Sequence, residues 1–188
     1  MSDYVINFMV EHSLKNIYLI GHSMGGCIAS IVASKRPDLI KKLILISPMN
    51  FACIYKAFCF LFNFFPKSNS GHEKLLSLVY KDINSKNKLF LLPGKENNSK
   101  QMNYLGHKIM MSPRWFLMMH SYQKKITTPT LLCLGRYDKI IPYKKTIKNF
   151  SRHLSNLTIA TFYNSSHMCF FEEEKLFFQT LKNFLLDN

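Results

Sequence analysis

A serine hydroxyl becomes a nucleophile only when the backbone presents it and a base takes its proton. Ser23 is placed for presentation. It stands in Gly21-His22-Ser23-Met24-Gly25-Gly26, behind the apolar run Ile17-Tyr18-Leu19-Ile20 and ahead of Cys27-Ile28-Ala29-Ser30-Ile31-Val32-Ala33. The first run reads as a strand, the second as a helix. A Gly-x-Ser-x-Gly turn between strand and helix lifts the serine Oγ clear of the sheet. Gly21 and Gly25 are expected to remove β-carbons that would collide where the two elements converge. The Met24 N–H would point to where an oxyanion forms, and the opening helix adds its positive dipole end there. The chemistry in view is acyl transfer through a serine ester.

This string and its setting resemble the nucleophile elbow of the α/β-hydrolase superfamily, in particular its esterase, lipase and proline-iminopeptidase-like members. The resemblance implies a parallel sheet with a helical cap insertion and a Ser-His-Asp triad, the acid and then the histidine following the serine. Asp138 fits the acid. It lies in Gly135-Arg136-Tyr137-Asp138-Lys139-Ile140-Ile141-Pro142, which is similar to the family's Gly-x-x-Asp segment, and no other acidic residue lies between Asn97 and Phe171. A second reading is a turn aspartate capping the helix after Pro142. His167, in Tyr163-Asn164-Ser165-Ser166-His167-Met168, matches the family's histidine loop, with Asn164 where glycine is usual. Asparagine tolerates left-handed backbone angles, so the change reads as mild. His22 is expected to pack beside the elbow. His12 lies on a helix, and His72, His107, His120 and His153 follow no strand and read as surface or cap residues. Glu172-Glu173-Glu174 reads as the acidic first turn of a final helix.

These residues need a sheet to position them. Leu43 to Ile46, Thr130 to Gly135 and Leu157 to Tyr163 are strand candidates beside the elbow strand. The first two are continuous apolar runs, as parallel strands buried on both faces require. Helical patterns cover Asp3 to Leu14 (with Ser2 as a plausible N-cap), the stretch after the elbow to about Ser34, Pro142 to Leu154, and Glu172 to Leu186. Strands alternating with helices make an α/β fold. Residues 1–50 and 123–188 read as the core, and 51–122 as a helical cap. In that insertion, short helices are expected around Leu75 to Val79 and after Pro113. Ser68 to Gly71 and Pro93 to Ser99 read as loops. Its Phe and Met residues suit a cap core, or an apolar wall over an acyl substrate.

The bulk composition narrows the function. The net charge is +14, but Lys supplies 21 of the 25 basic residues and no basic block exceeds two. Nucleic-acid readers favour clustered Arg, so the charge points at most to a weak attraction to an anionic lipid surface or substrate. Five cysteines without a C-x-x-C favour free thiols in a reducing compartment, hence a cytoplasmic setting. There is no signal-peptide pattern, and Phe51 to Phe65 is too short and too interrupted to span a membrane. No metal-ligand spacing, G-x-G-x-x-G or phosphate-cradling loop implies a cofactor.

The resemblance also implies strands ahead of the elbow helix and a Gly-rich loop bearing a second oxyanion N–H. No such loop precedes Ser23. One missing donor typically costs ~3–4 kcal/mol of transition-state stabilisation. The elbow strand would then present an open edge, a place for a partner chain. A misplaced start, a split gene or a decayed remnant each fit this pattern. The functional expectation is a serine hydrolase of carboxylic esters or related acyl compounds. The alternative is a non-catalytic hydrolase-fold remnant that serves as a binding protein.

Overall fold

The computed structural model describes residues 1–56, 69–82 and 113–187. Four parallel strands form one sheet in the order β1-β2-β3-β4: β1 Ile17–His22, β2 Ile40–Ile46, β3 Thr130–Gly135 and β4 Leu157–Phe162. The register sets His22 beside Ile46 and Gly135 beside Phe162, so the carboxyl ends lie along one rim. The helices are α1 Ser2–Glu11, α2 Met24–Lys35, α3 Asn69–Val79, α4 Pro113–Gln123, α5 Tyr143–His153, α6 Cys169–Glu172 and α7 Glu174–Leu186.

The alternation of apolar side chains explains why both faces of the sheet are covered. Leu43 and Leu45 of β2, with Leu132 and Leu134 of β3, join one core with Val32, Phe116, Met119 and Phe150. Ile44, Ile46, Leu131 and Cys133 join a second core with Phe162, Phe177 and Phe184. A side-chain period of two sends neighbours to opposite faces, so an unbroken apolar run needs a layer on each side. Helix α2 covers the first face and α7 the second. Phe116 and Met119 of α4 lie in the same core as α2.

Local details correct several expectations. Ser2 is the first residue of α1, and Met1 is the N-cap. Asn69 to Gly71 are helical, not loop, while residues 93–99 lie outside the described residues. β2 starts at Ile40, so Lys41 and Lys42 belong to it. Lys42 is 8% exposed, and its Nζ donates to the Phe184 carbonyl at 2.6 Å and to those of Leu185 and Asp187. A lysine on the strand thus satisfies the last carbonyls of α7, the job of a helix C-cap. Cys27, Cys133 and Cys169 are buried free thiols, and burial pushes Cys27 and Cys133 up to about 12. Among the described residues no helix is long and apolar enough to cross a membrane.

Candidate active site

Ser23 is the residue after β1, Asp138 lies three past β3, and His167 lies five past β4. All three therefore sit at the carboxyl rim, where open parallel sheets assemble their sites. The rim is locked from strand to strand. The Ser23 N–H donates to the Ile46 carbonyl at 3.0 Å, the Ser47 N–H to Cys133 at 2.8 Å, and the Arg136 N–H to Phe162 at 2.8 Å.

Ser23 has φ 54° and ψ −117°, left-handed for a residue with a β-carbon. Such a conformation costs about 1–3 kcal/mol and persists only where the surroundings hold it. Here the Ser23 carbonyl accepts from the N–H groups of Met49 at 2.9 Å and Gly26 at 3.1 Å. A β-carbon on Gly21 would meet the Gly25 carbonyl oxygen at 2.5 Å. Gly25 differs from expectation: a β-carbon there meets nothing within 4 Å. The second tight position is Gly26, where it would come within 2.7 Å of Pro48 Cβ. Crowding by the loop after β2 fixes that glycine, and the Gly21 carbonyl oxygen of β1 adds a tight contact at 3.1 Å. Met24 opens α2, so its N–H belongs to the unpaired first turn and adds to the positive end of the dipole.

Asp138 and His167 are joined. Nδ1–H of His167 donates to Oδ2 of Asp138 at 2.9 Å, with the two residues 3% and 7% exposed. Oδ1 of Asp138 accepts the N–H groups of Ile140 and Ile141, each at 2.8 Å. A carboxylate that accepts at Nδ1 leaves the lone pair on Nε2, the tautomer a general base needs. Ser23 reaches this pair through its neighbour. The His22 ring lies 4.7 Å from that of His167, and its Nε2–H donates to the His167 carbonyl at 3.2 Å. Burial first, then the His167 ring, pushes His22 down to about 4, so it is neutral near pH 7. Ser23 Oγ makes no hydrogen bond to His167 here; such contacts often tighten only when substrate is bound.

The histidine loop is braced by residues that sequence reasoning gave other roles. Glu173 is the N-cap of α7, and only Glu174 lies in its first turn. Glu173 Oε2 accepts the Asn164 N–H at 2.8 Å and the Ser165 hydroxyl at 2.6 Å. Glu172 Oε2 accepts the Ser166 N–H at 2.6 Å, and its Oε1 accepts the Lys81 N–H at 2.6 Å. Burial pushes the Glu172 carboxyl up, against those N–H donors. Asn164 is not left-handed, and its N–H is held by Glu173. The end of α3 also grips the loop, with the Val79 carbonyl accepting the His167 N–H at 3.0 Å. Gly135 lets the loop cross: a β-carbon there would lie 1.8 Å from the Ser166 carbonyl oxygen. The visible signals were three acids just behind the histidine and a glycine ending an apolar run. Among the described residues no group of His, Cys, Asp or Glu could hold a metal.

A four-stranded parallel sheet with helices on both faces and a strained serine at its rim is the architecture of an α/β hydrolase. The family described as serine aminopeptidase S33 matches residues 2–174, and the chain belongs to it. It is 30% identical to a Mycoplasma genitalium protein named "Putative esterase/lipase 2", over 97% of this chain and 68% of that one. It is 24% identical to the proline iminopeptidase of Saccharolobus solfataricus, over 98% of this chain and 69% of that one. Among solved structures, an esterase from Exiguobacterium antarcticum superposes with a TM-score of 0.71 at 16% identity, over 100% of this chain and 73% of that one. The chain thus spans about two thirds of the length of the relatives it matches.

Proposed function

We propose that this chain is a serine hydrolase acting on small carboxylic esters or related acyl compounds. Ser23 Oγ attacks the carbonyl carbon while His167 Nε2 takes its proton. The resulting imidazolium is stabilised by Asp138 and gives the proton to the leaving alcohol. Water, activated by the same imidazole, then clears the acyl-enzyme. The Met24 N–H and the α2 dipole receive the oxyanion. The observation that carries this reading is the buried Asp138–His167 pair at 2.9 Å beside a serine forced to φ 54°. The α3 end fits a cap over residues 51–122, since the Val79 carbonyl holds the histidine loop. The likeness to a proline iminopeptidase makes amide bonds to an N-terminal residue the next substrate class.

The open side of β1 supports a second reading, a scaffold that binds a partner. Tyr18 and Ile20 are 43% and 50% exposed on a strand at the sheet's edge. A strand added there, from a preceding segment or another chain, would cover them and stand beside the elbow. A fluorophosphonate probe and short p-nitrophenyl esters separate the readings. The hydrolase requires labelling and turnover that Ser23→Ala abolishes; equal labelling of both proteins rejects the triad and leaves the scaffold.

A further inference from the structure

A second concave site lies between α4, α5 and the turn Phe51–Lys56. It is a cavity of about 440 Å³ and shares no residue with Ser23, Asp138 or His167. Lys145, Lys148, Asn149 and Arg152 of α5 line it, at i, i+3, i+4 and i+7, which is one helix face. Lys124, just past α4, supplies a fourth cation, and His120 and His153 stand together with ring centroids 5.0 Å apart. Among the described residues no carboxylate lines the cavity, and neither α4 nor α5 contains an acidic residue. Phe51 closes one wall, its ring 4.8 Å from that of His120.

Lys124, Lys148 and Arg152 gathered in one hollow repel each other, and an anion among them reverses that cost. The volume lies in the range of small-molecule sites. His120 Nδ1 is shielded from solvent yet has no hydrogen-bond partner among the described residues. Partial burial first, then the neighbouring Lys124 and Arg152, pushes both imidazoles down. Neutral imidazoles can still donate an N–H to an oxyanion.

The geometry points to a binding site for a phosphate-type anion of two or more charges, held by Lys124, Lys148 and Arg152 with His120 and His153 as additional donors. The phosphate group can come from a free small molecule or from a lipid headgroup, and the two are separable. Pyrophosphate is titrated calorimetrically into the whole chain at low salt. In parallel, the chain is sedimented with vesicles of phosphatidylglycerol and phosphatidylcholine, or of phosphatidylcholine alone. Lys148→Glu/Arg152→Glu changes the cavity, and Lys175→Glu/Lys182→Glu makes the same charge change on the exposed face of α7.

The expected result is saturable binding of pyrophosphate, of anionic vesicles, or of both. The cavity pair should weaken it at least tenfold and the α7 pair less than threefold. Binding to vesicles alone assigns the headgroup as source, and binding of pyrophosphate alone a free phosphate. On binding, the NMR titration midpoints of His120 and His153 should rise. No saturable binding of either probe, or equal weakening by both charge pairs, overturns the site and leaves only the general attraction of a +14 chain. Circular dichroism on both variants excludes misfolding as the cause.

Discussion

Gly135→Ala asks whether packing alone aims the histidine. The new β-carbon would stand 1.8 Å from the Ser166 carbonyl oxygen and 2.7 Å from that of Ser165. Gly135 ends a strand whose apolar residues are wholly buried, so β3 cannot retreat. The loop must move, by at least 1.2 Å to bring the shorter contact out to 3.0 Å. His167 follows Ser166 directly, and its pairing with Asp138 is 2.9 Å long. A misplacement near 1 Å costs on the order of 10²-fold in rate, or about 2.7 kcal/mol of activation free energy. Overpacking should also lower stability by about 1–3 kcal/mol. The assay is kcat and KM on p-nitrophenyl butyrate, with a thermal melt of each protein. The expectation is a kcat reduced about 10²-fold, as that displacement requires, and a KM little changed. A variant that keeps kcat within about twofold, well short of that, shows that the loop absorbs the methyl without turning the imidazole; the reasoning then fails.

Two further predictions concern stability. His22 titrates at about 4 in the folded chain against 6.5 when free. Below pH 6.5 the unfolded chain takes up a proton that the folded chain refuses, so stability falls with pH until about 4. The full loss is about 3 kcal/mol, read from urea unfolding across that window, and His22→Asn should flatten the slope. A wild-type slope identical to that of the variant would refute the burial account. Lys42→Met removes the donor to three carbonyls at the end of α7 and should cost about 1–3 kcal/mol in urea unfolding. A change below about 0.5 kcal/mol, the range of ordinary surface substitutions, would show that water replaces it freely.

The sheet was legible because its signal is local. Leu43 to Ile46 and Leu131 to Leu134 are unbroken apolar runs, and burial on both faces is what such runs need. The elbow was legible because strand, Gly-x-Ser-x-Gly and helix are contiguous in the chain. Distant contacts were not legible. Gly26 reads as the end of the elbow, yet its tightest constraint is Pro48, a residue of the loop after the next strand. Glu172 and Glu173 read as a helix start, yet their oxygens hold the loop before them. Lys42 stands just ahead of the apolar run from Leu43, yet its partners lie over 140 residues away. The cations around Phe51 come from α5 and from Lys124 just past α4, and no window of sequence holds them together.

Asp138 joins these two kinds of information. Its sequence allowed either a cap for the helix after Pro142 or an orienter of the histidine; in the structure Pro142 itself is the N-cap of α5, and Asp138 closes its own turn while pairing with His167. Oδ1 closes the turn onto Ile140 and Ile141, and this leaves Oδ2 facing His167 with no freedom to swing away. The rim is locked in the same manner, since Ser23, Ser47 and Arg136 each donate to the last turn of the neighbouring strand. Every one of these bonds runs from β1 inward toward β4. The aim of the serine therefore rests on β2 and α2, and not on whatever pairs with the outer edge of β1. A neighbour on that edge would contribute burial for Tyr18 and Ile20. Its contribution to chemistry, under the proposed mechanism, would be one more N–H toward the oxyanion beside that of Met24.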